Sequence, residues 1–200
     1  MVQDNKTKSF FNNYINKHLI IIEELKKEIK LFEQISLELV SCLESGGTVF
    51  WCGNGGSMAD SSHLAAELMG RYETKRKPLK SIALGQDNSV LSCIANDFGY
   101  ENIFSRELLG LANKNDYLII LSTSGNSKNV IEALKTANKI GMRSFALVGK
   151  GGGIVSEISS SIYIINENKT SIIQEVQITI GHLIVEFVET YLDINAIHIE

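Results

Sequence analysis

The segment Tyr117–Ser127, YLIILSTSGNS, runs an apolar strand into a loop crowded with hydroxyls and then into a helix. A loop of this kind at the carboxyl end of a buried strand offers backbone N–H groups, hydroxyl donors and the positive end of a helix dipole to one dianion. Ser122, Thr123, Ser124, Gly125, Asn126 and Ser127 include no Lys or Arg, so neutral donors would hold a sugar phosphate without a metal. The same residues also suit an ordinary strand-to-helix connection with Ser127 as N-cap. A second loop, CGNGGS, places Asn54, Gly55, Gly56 and Ser57 after another strand, and its glycines permit positive φ and close backbone approach to a ligand. It is not the GxGxxG of dinucleotide sites, because the third glycine is missing. Two such loops after two strands of one sheet are a stronger signal than either alone.

Titratable side chains follow both loops. His63 and Glu67, four residues apart, project within about 40° of each other on one helical face and can address one point. An exposed His/Glu pair with no further role is the plain alternative. Gln174 and His182 share the last helix, about 80° apart in azimuth and ~12 Å apart in rise, so they meet a common ligand only by leaning toward each other. That helix is apolar nearly all round, and polar residues within it need partners. Two His, one Glu and one Gln suit a divalent-metal site, zinc first, or an acid/base pair that needs no metal; Gln is an uncommon zinc ligand. A carboxylate base with an imidazole acid suits proton abstraction beside a carbonyl. Asn96 and Asp97, in IANDFGY, are further candidates for substrate contact, with a turn or cap as the structural reading of Asp97.

The elements that must position these groups alternate. Residues 6–45 carry no Gly or Pro and place apolar side chains near helical spacing, predicting one long helix or two consecutive ones. This arm could pack against a second subunit or cover its own sheet. After Gly47 come β-rich runs at 48–52, 81–84, 117–121, 144–148 and 161–165, with helical stretches at about 57–69, 88–95, 101–112, 127–140 and 171–192. Continuous apolar runs predict strands buried on both faces. The expected fold is α/β: a three-layer, doubly wound sandwich around a five-stranded parallel sheet, with ligands at the carboxyl ends of the strands. Residues 1–46 form the helical arm, 47–193 the sheet domain and 194–200 a tail.

Two hundred residues suffice for one domain. The net charge of −4 and a pI near 5.6 argue against nucleic-acid binding through bulk electrostatics. The one basic cluster, RYETKRKPLK at 71–80, reads as a solvated loop. Cys42, Cys52 and Cys93 form no CxxC pair and read as reduced core thiols of a cytoplasmic protein. No secretory leader is legible, and no stretch approaches the ~20 apolar residues of a membrane span. His18 reads as packed or interfacial, His198 as tail, Trp51 as core and GKGGG (149–153) as a turn.

CGNGGS, HLAAEL, GRYE, ANDFG, IFSR, STSGNS, GKGGG, IQE and His182 stand in the order found in the phosphoheptose isomerases of the sugar-isomerase (SIS) class, and from about Gly47 to Tyr191 the chain resembles that family. The resemblance implies conversion of sedoheptulose 7-phosphate to D-glycero-D-manno-heptose 7-phosphate, the first step toward nucleotide-activated heptoses of bacterial lipopolysaccharide or capsule. It implies that Ser122, Thr123, Ser124 and Ser127, with Asn54 and Ser57, hold the phosphate, while Glu67 and His182 transfer protons through a cis-enediol. It also implies zinc at His63, Glu67, Gln174 and His182, and a homotetramer with active sites at subunit interfaces. The chain departs from many relatives just before IQE, where it reads Ser171-Ile172. Two other readings compete. One is a non-catalytic SIS protein that binds a replication initiator, whose relatives lack counterparts of Glu67 and His182. The other is an isomerase or sensor of another phosphosugar.

Overall fold

The computed structural model describes residues 2–195. The Gly- and Pro-free opening forms two helices, α1 (Val2–Glu24) and α2 (Ile29–Glu44), joined by a 3-10 turn at Leu25–Glu28. The amphipathic α2 buries Phe32, Ile35 and Leu39 against the sheet, whereas α1 leaves Phe10, Phe11, Ile15, Leu19 and Ile20 exposed. Strands β1 (Val49–Gly53), β2 (Ser81–Ala83), β3 (Tyr117–Ser122), β4 (Arg143–Val148) and β5 (Ser161–Ile164) alternate with α3 (Gly56–Met69), α4 (Asn88–Phe98), α5 (Ile103–Leu111), α6 (Lys128–Ile140), a short α7 (Val155–Ile158) and α8 (Thr170–Asn195).

All strands pair in parallel, in the order β2-β1-β3-β4-β5. Side chains alternate across the sheet with period two. Tyr117, Ile119 and Leu121 of β3 enter one core with residues of α2, α3 and α8, and Leu118 and Ile120 enter a second with residues of α4, α5 and α6. These are the three layers the β/α alternation predicts.

Five expectations need correction. β5 is half-buried, with Ile164 39% exposed, because as an edge strand it has β4 on one side only. Cys93 is exposed while Cys42 and Cys52 are buried; α4 buries only Ile94 fully, and Cys93 lies on its open face. The basic loop is not wholly solvated, since Arg76 folds inward to pair with Glu189 at 2.8 Å, their side chains 7% and 2% exposed. Thr170–Leu192 of α8 is long and apolar enough to cross a membrane by length and composition, yet half of its most apolar window is buried inside the fold; it is a core helix. Asp97 lies in the last turn of α4, and the cap of that helix is Asp87, which accepts from the N–H groups of Ser89 and Val90. His198 lies outside the described residues.

Candidate active site

In this strand order the chain leaves β1 toward β2 on one side and returns to β3 on the other, so the crevice at their carboxyl ends is the topological switch point where such sheets bind ligands. Gly53 pairs with Leu121, which sets the CGNGGS and STSGNS loops side by side. Asn54 and Asn129 lock them with two reciprocal amide hydrogen bonds of 2.8 Å, and Tyr100, from the 3-10 turn at Tyr100–Asn102, donates its hydroxyl to Asn54 Oδ1 at 3.2 Å. Within the second loop Ser122 Oγ accepts the Gly125 N–H, and Ser124 Oγ accepts the Asn126 N–H. Gly125 has a φ of +63°, and a Cβ there would collide with the Gly152 carbonyl, so the GKGGG turn is packed onto this loop. Ser127 precedes α6 without a side-chain cap bond. Its hydroxyl and that of Thr123 make no hydrogen bond among the described residues, so both are available to a ligand.

The second half of the site is built by two helices that run side by side in the same direction: Gln174 lies against Gly56, and Leu64 against Gly181. That pairing puts His182 of α8 beside the His63/Glu67 face of α3. Glu67 Oε1 is 3.2 Å from His63 Nε2 and 3.4 Å from His182 Nε2, and one ligand atom from each of the three lies within 4.8 Å of the others. The imidazole rings meet edge to face at 5.2 Å. Glu67 Oε2 is buried and has no partner. Two imidazole nitrogens, a carboxylate and an orphaned carboxylate oxygen fit a divalent cation with three protein ligands and an open position.

A family model described as SIS domain matches residues 13–149. The phosphoheptose isomerase of Akkermansia muciniphila is 45% identical over 157 residues, covering 78% of this chain and 83% of that protein. That of Helicobacter pylori is 42% identical over 173 residues, covering 84% and 90%. The chain belongs to the phosphoheptose isomerase family of SIS-domain proteins. The solved structure of the phosphoheptose isomerase from Neisseria gonorrhoeae superposes with a TM-score of 0.85 at 31% identity, covering 92% of this chain and 99% of that one.

Four residues expected in the site of a phosphoheptose isomerase, Gln174, Ser57, Asn96 and Asp97, make other contacts in this structure. The Gln174 amide packs on Gly56, which leaves no room for a Cβ there and puts it at the first turn of α3, two turns before His63. Ser57 is buried and donates its hydroxyl to Gln177 Oε1 at 3.2 Å, while Gln177 donates to the Leu147 carbonyl; that chain ties α3, α8 and β4 together. Asn96 and Asp97 are exposed and bond to each other, Nδ2 to Oδ1 at 2.7 Å, with no hydrogen bond to either loop among the described residues.

Asp60 and Asn129 escaped the sequence reading. Asp60 precedes His63 by three residues and so shares its helical face. Its Oδ2 is buried without a partner; burial pushes its carboxyl up, against the pull of His63 and His182. The i, i+3, i+7 spacing of Asp60, His63 and Glu67 was the available signal. Asn129 is 2% exposed, and nothing in its sequence neighbourhood marks it as the partner of Asn54.

Proposed function

We propose that the protein interconverts sedoheptulose 7-phosphate and D-glycero-D-manno-heptose 7-phosphate by aldose–ketose isomerisation through a cis-enediol. The observation that carries this reading is Glu67: one carboxylate oxygen faces both imidazoles, and the other is buried and unpartnered. Thr123, Ser124, Ser127 and the backbone N–H groups at the switch point anchor the phosphate, and fixing that end of the opened sugar presents C1 and C2 to the carboxylate.

From the ketose, Glu67 takes a proton from C1. The C–H electron pair forms C1=C2, and the C2=O π pair moves to O2, which takes a proton from His182. His182 then removes the O1 proton, C1=O forms, and the C=C pair takes the proton from Glu67 at C2. Atoms and electrons balance without an outside oxidant. His63, Glu67 and His182 would hold zinc, with Gln174 the more distant fourth candidate, and zinc there would supply Lewis-acid polarisation of the carbonyl.

Three further readings accompany this one. Assembly as a homotetramer is supported by the exposed apolar residues of α1 and by Leu183, 49% exposed beside His182; light scattering checks it. Unpaired, buried Cys42 and Cys52 support a reducing, cytoplasmic setting. The product would feed nucleotide-activated heptose for lipopolysaccharide or capsule.

The test is NMR of the purified protein with sedoheptulose 7-phosphate, once after chelation and once with added zinc. Aldoheptose 7-phosphate anomeric signals are the expected result, and zinc dependence of their growth separates metal-assisted from metal-free chemistry. Folded protein that gives no product in either sample overturns the assignment.

A further inference from the structure

The loop after α3, residues 70–80, contains no regular secondary structure, yet it is fixed in detail by one buried carboxylate. Glu189, seven residues after His182 on α8, accepts the backbone N–H groups of Tyr72, Glu73 and Thr74 at 2.6–3.0 Å and the Nε–H of Arg76 at 2.8 Å. Arg76 Nη1 also reaches the Lys77 carbonyl at 3.1 Å, and Nη2 and Nη1 reach the carbonyls of Glu67 and Leu68, each at 2.8 Å. Those last two carbonyls belong to the last turn of α3, the turn that carries Glu67 itself. One ion pair therefore joins the helix that bears Glu67, the helix that bears His182, and the loop between α3 and β2.

The outcome of this anchoring is the position of Tyr72. Its ring stacks on His182 with centroids 5.9 Å apart and planes at 27°, within the range of favourable offset stacking. His63 meets the same imidazole edge-on. A side chain on α8 that is a third exposed would otherwise be free to change rotamer and carry Nε2 away from Glu67.

We infer that Tyr72 is a positioning residue for His182, held on the imidazole by the Glu189–Arg76 pair. The function is that of the ring face. The hydroxyl has no hydrogen-bond partner among the described residues, so phenylalanine should serve as well, whereas alanine frees the imidazole. Residues that orient metal-ligating or catalytic histidines typically change affinity or activity by about 10–100-fold when removed. Tyr72→Ala is expected to lower kcat about 10-fold with KM within about twofold, because the phosphate loops are untouched, and to weaken zinc binding about 10-fold. Tyr72→Phe is expected to stay within about twofold of wild type in both.

This inference rests on the isomerase reading for its kinetic arm but not for its structural one. The protein has four histidines, so selectively labelled imidazole signals can be assigned by single His→Gln substitutions. The His182 ring protons should carry an upfield ring-current shift in wild type and in Tyr72→Phe that disappears in Tyr72→Ala, without zinc or substrate present. Calorimetric titration with zinc alone, and turnover of sedoheptulose 7-phosphate, complete the set. A His182 signal unchanged in Tyr72→Ala, or zinc affinity and kcat in that variant equal to wild type, overturns the inference. Wild-type protein that neither binds zinc nor turns over the sugar sinks the proposed function instead, and the His182 signal still decides the role of Tyr72.

Discussion

Replacing Arg76 by methionine should cost more stability than any surface substitution, and the cost can be worked from its surroundings. Glu189 would remain, 2% exposed, with three backbone N–H bonds but no counter-charge. Breaking a buried pair by removing one partner costs about 3–5 kcal/mol. Taking ~4 kcal/mol, the folded-to-unfolded ratio falls about a thousandfold, and at roughly 2–4 °C per kcal/mol for a chain of this size the melting temperature drops about 8–16 °C. Glu189→Met should cost at least as much, because it strands both the guanidinium and the N–H groups of Tyr72, Glu73 and Thr74. The double variant should recover part of the loss, since no buried charge is left, but not all of it, since the three loop donors stay unpaired. Urea unfolding of the four proteins gives the cycle directly. A loss below about 1 kcal/mol for Arg76→Met would place the pair with ordinary surface salt bridges and remove the argument that it fixes the loop.

Three other outcomes are expected. Glu67→Gln should lower turnover by at least ~10³-fold, at the upper part of what a positioned base contributes, while sedoheptulose 7-phosphate binds within a few-fold of wild type by calorimetry; undiminished turnover removes Glu67 as the base. Asn129→Ala should raise KM about 10-fold with kcat little changed, since about 1.4 kcal/mol of amide pairing that holds Asn54 is lost, and an unchanged KM refutes the locking of the two loops. Burial raises the Glu189 carboxyl pKa, but the Thr74, Glu73 and Tyr72 N–H groups and Arg76 outweigh that and hold it below its usual range. Its stabilisation is therefore fully present above about pH 4.3, the unfolded value, and is lost as pH falls through the depressed folded value. Acid unfolding in Glu189→Gln should lack that component of the wild-type curve.

The sheet was legible because its strands are buried: YLIIL and SFALV sit where the apolar runs place them, and the glycine-rich end of β1 and the hydroxyl-rich end of β3 mark the crevice from sequence alone. His63, Glu67 and His182 were legible for a different reason, since helical spacing puts the first two on one face and the apolar surroundings of the third demand a partner. What sequence could not supply is contact between residues far apart in the chain with no periodic relation. Arg76 looks like one more lysine-rich loop residue until α8 brings Glu189 beneath it, and Asn129 looks like a helix-start polar residue until the parallel pairing of β1 and β3 sets it against Asn54. Ser57 shows the same limit from the other side. Its place in a phosphate-type loop suggests a ligand contact, and nothing in that loop announces that the first turn of α3 also brings its hydroxyl to Gln177, a buried amide.

The amide pair at the switch point also determines the polarity of what Asn54 can read. Its Oδ1 has both lone pairs engaged, by Asn129 Nδ2 and the Tyr100 hydroxyl, and one of its two Nδ2 hydrogens is committed to Asn129 Oδ1. A single N–H remains, so Asn54 can greet a ligand only as a donor. It would recognise oxygens that accept, such as those of a phosphate, a carbonyl or a sugar hydroxyl, and it has nothing to offer the ammonium of an amino sugar. At this one position the sign of a guest's hydrogen bond is set before any acid or base comes into play.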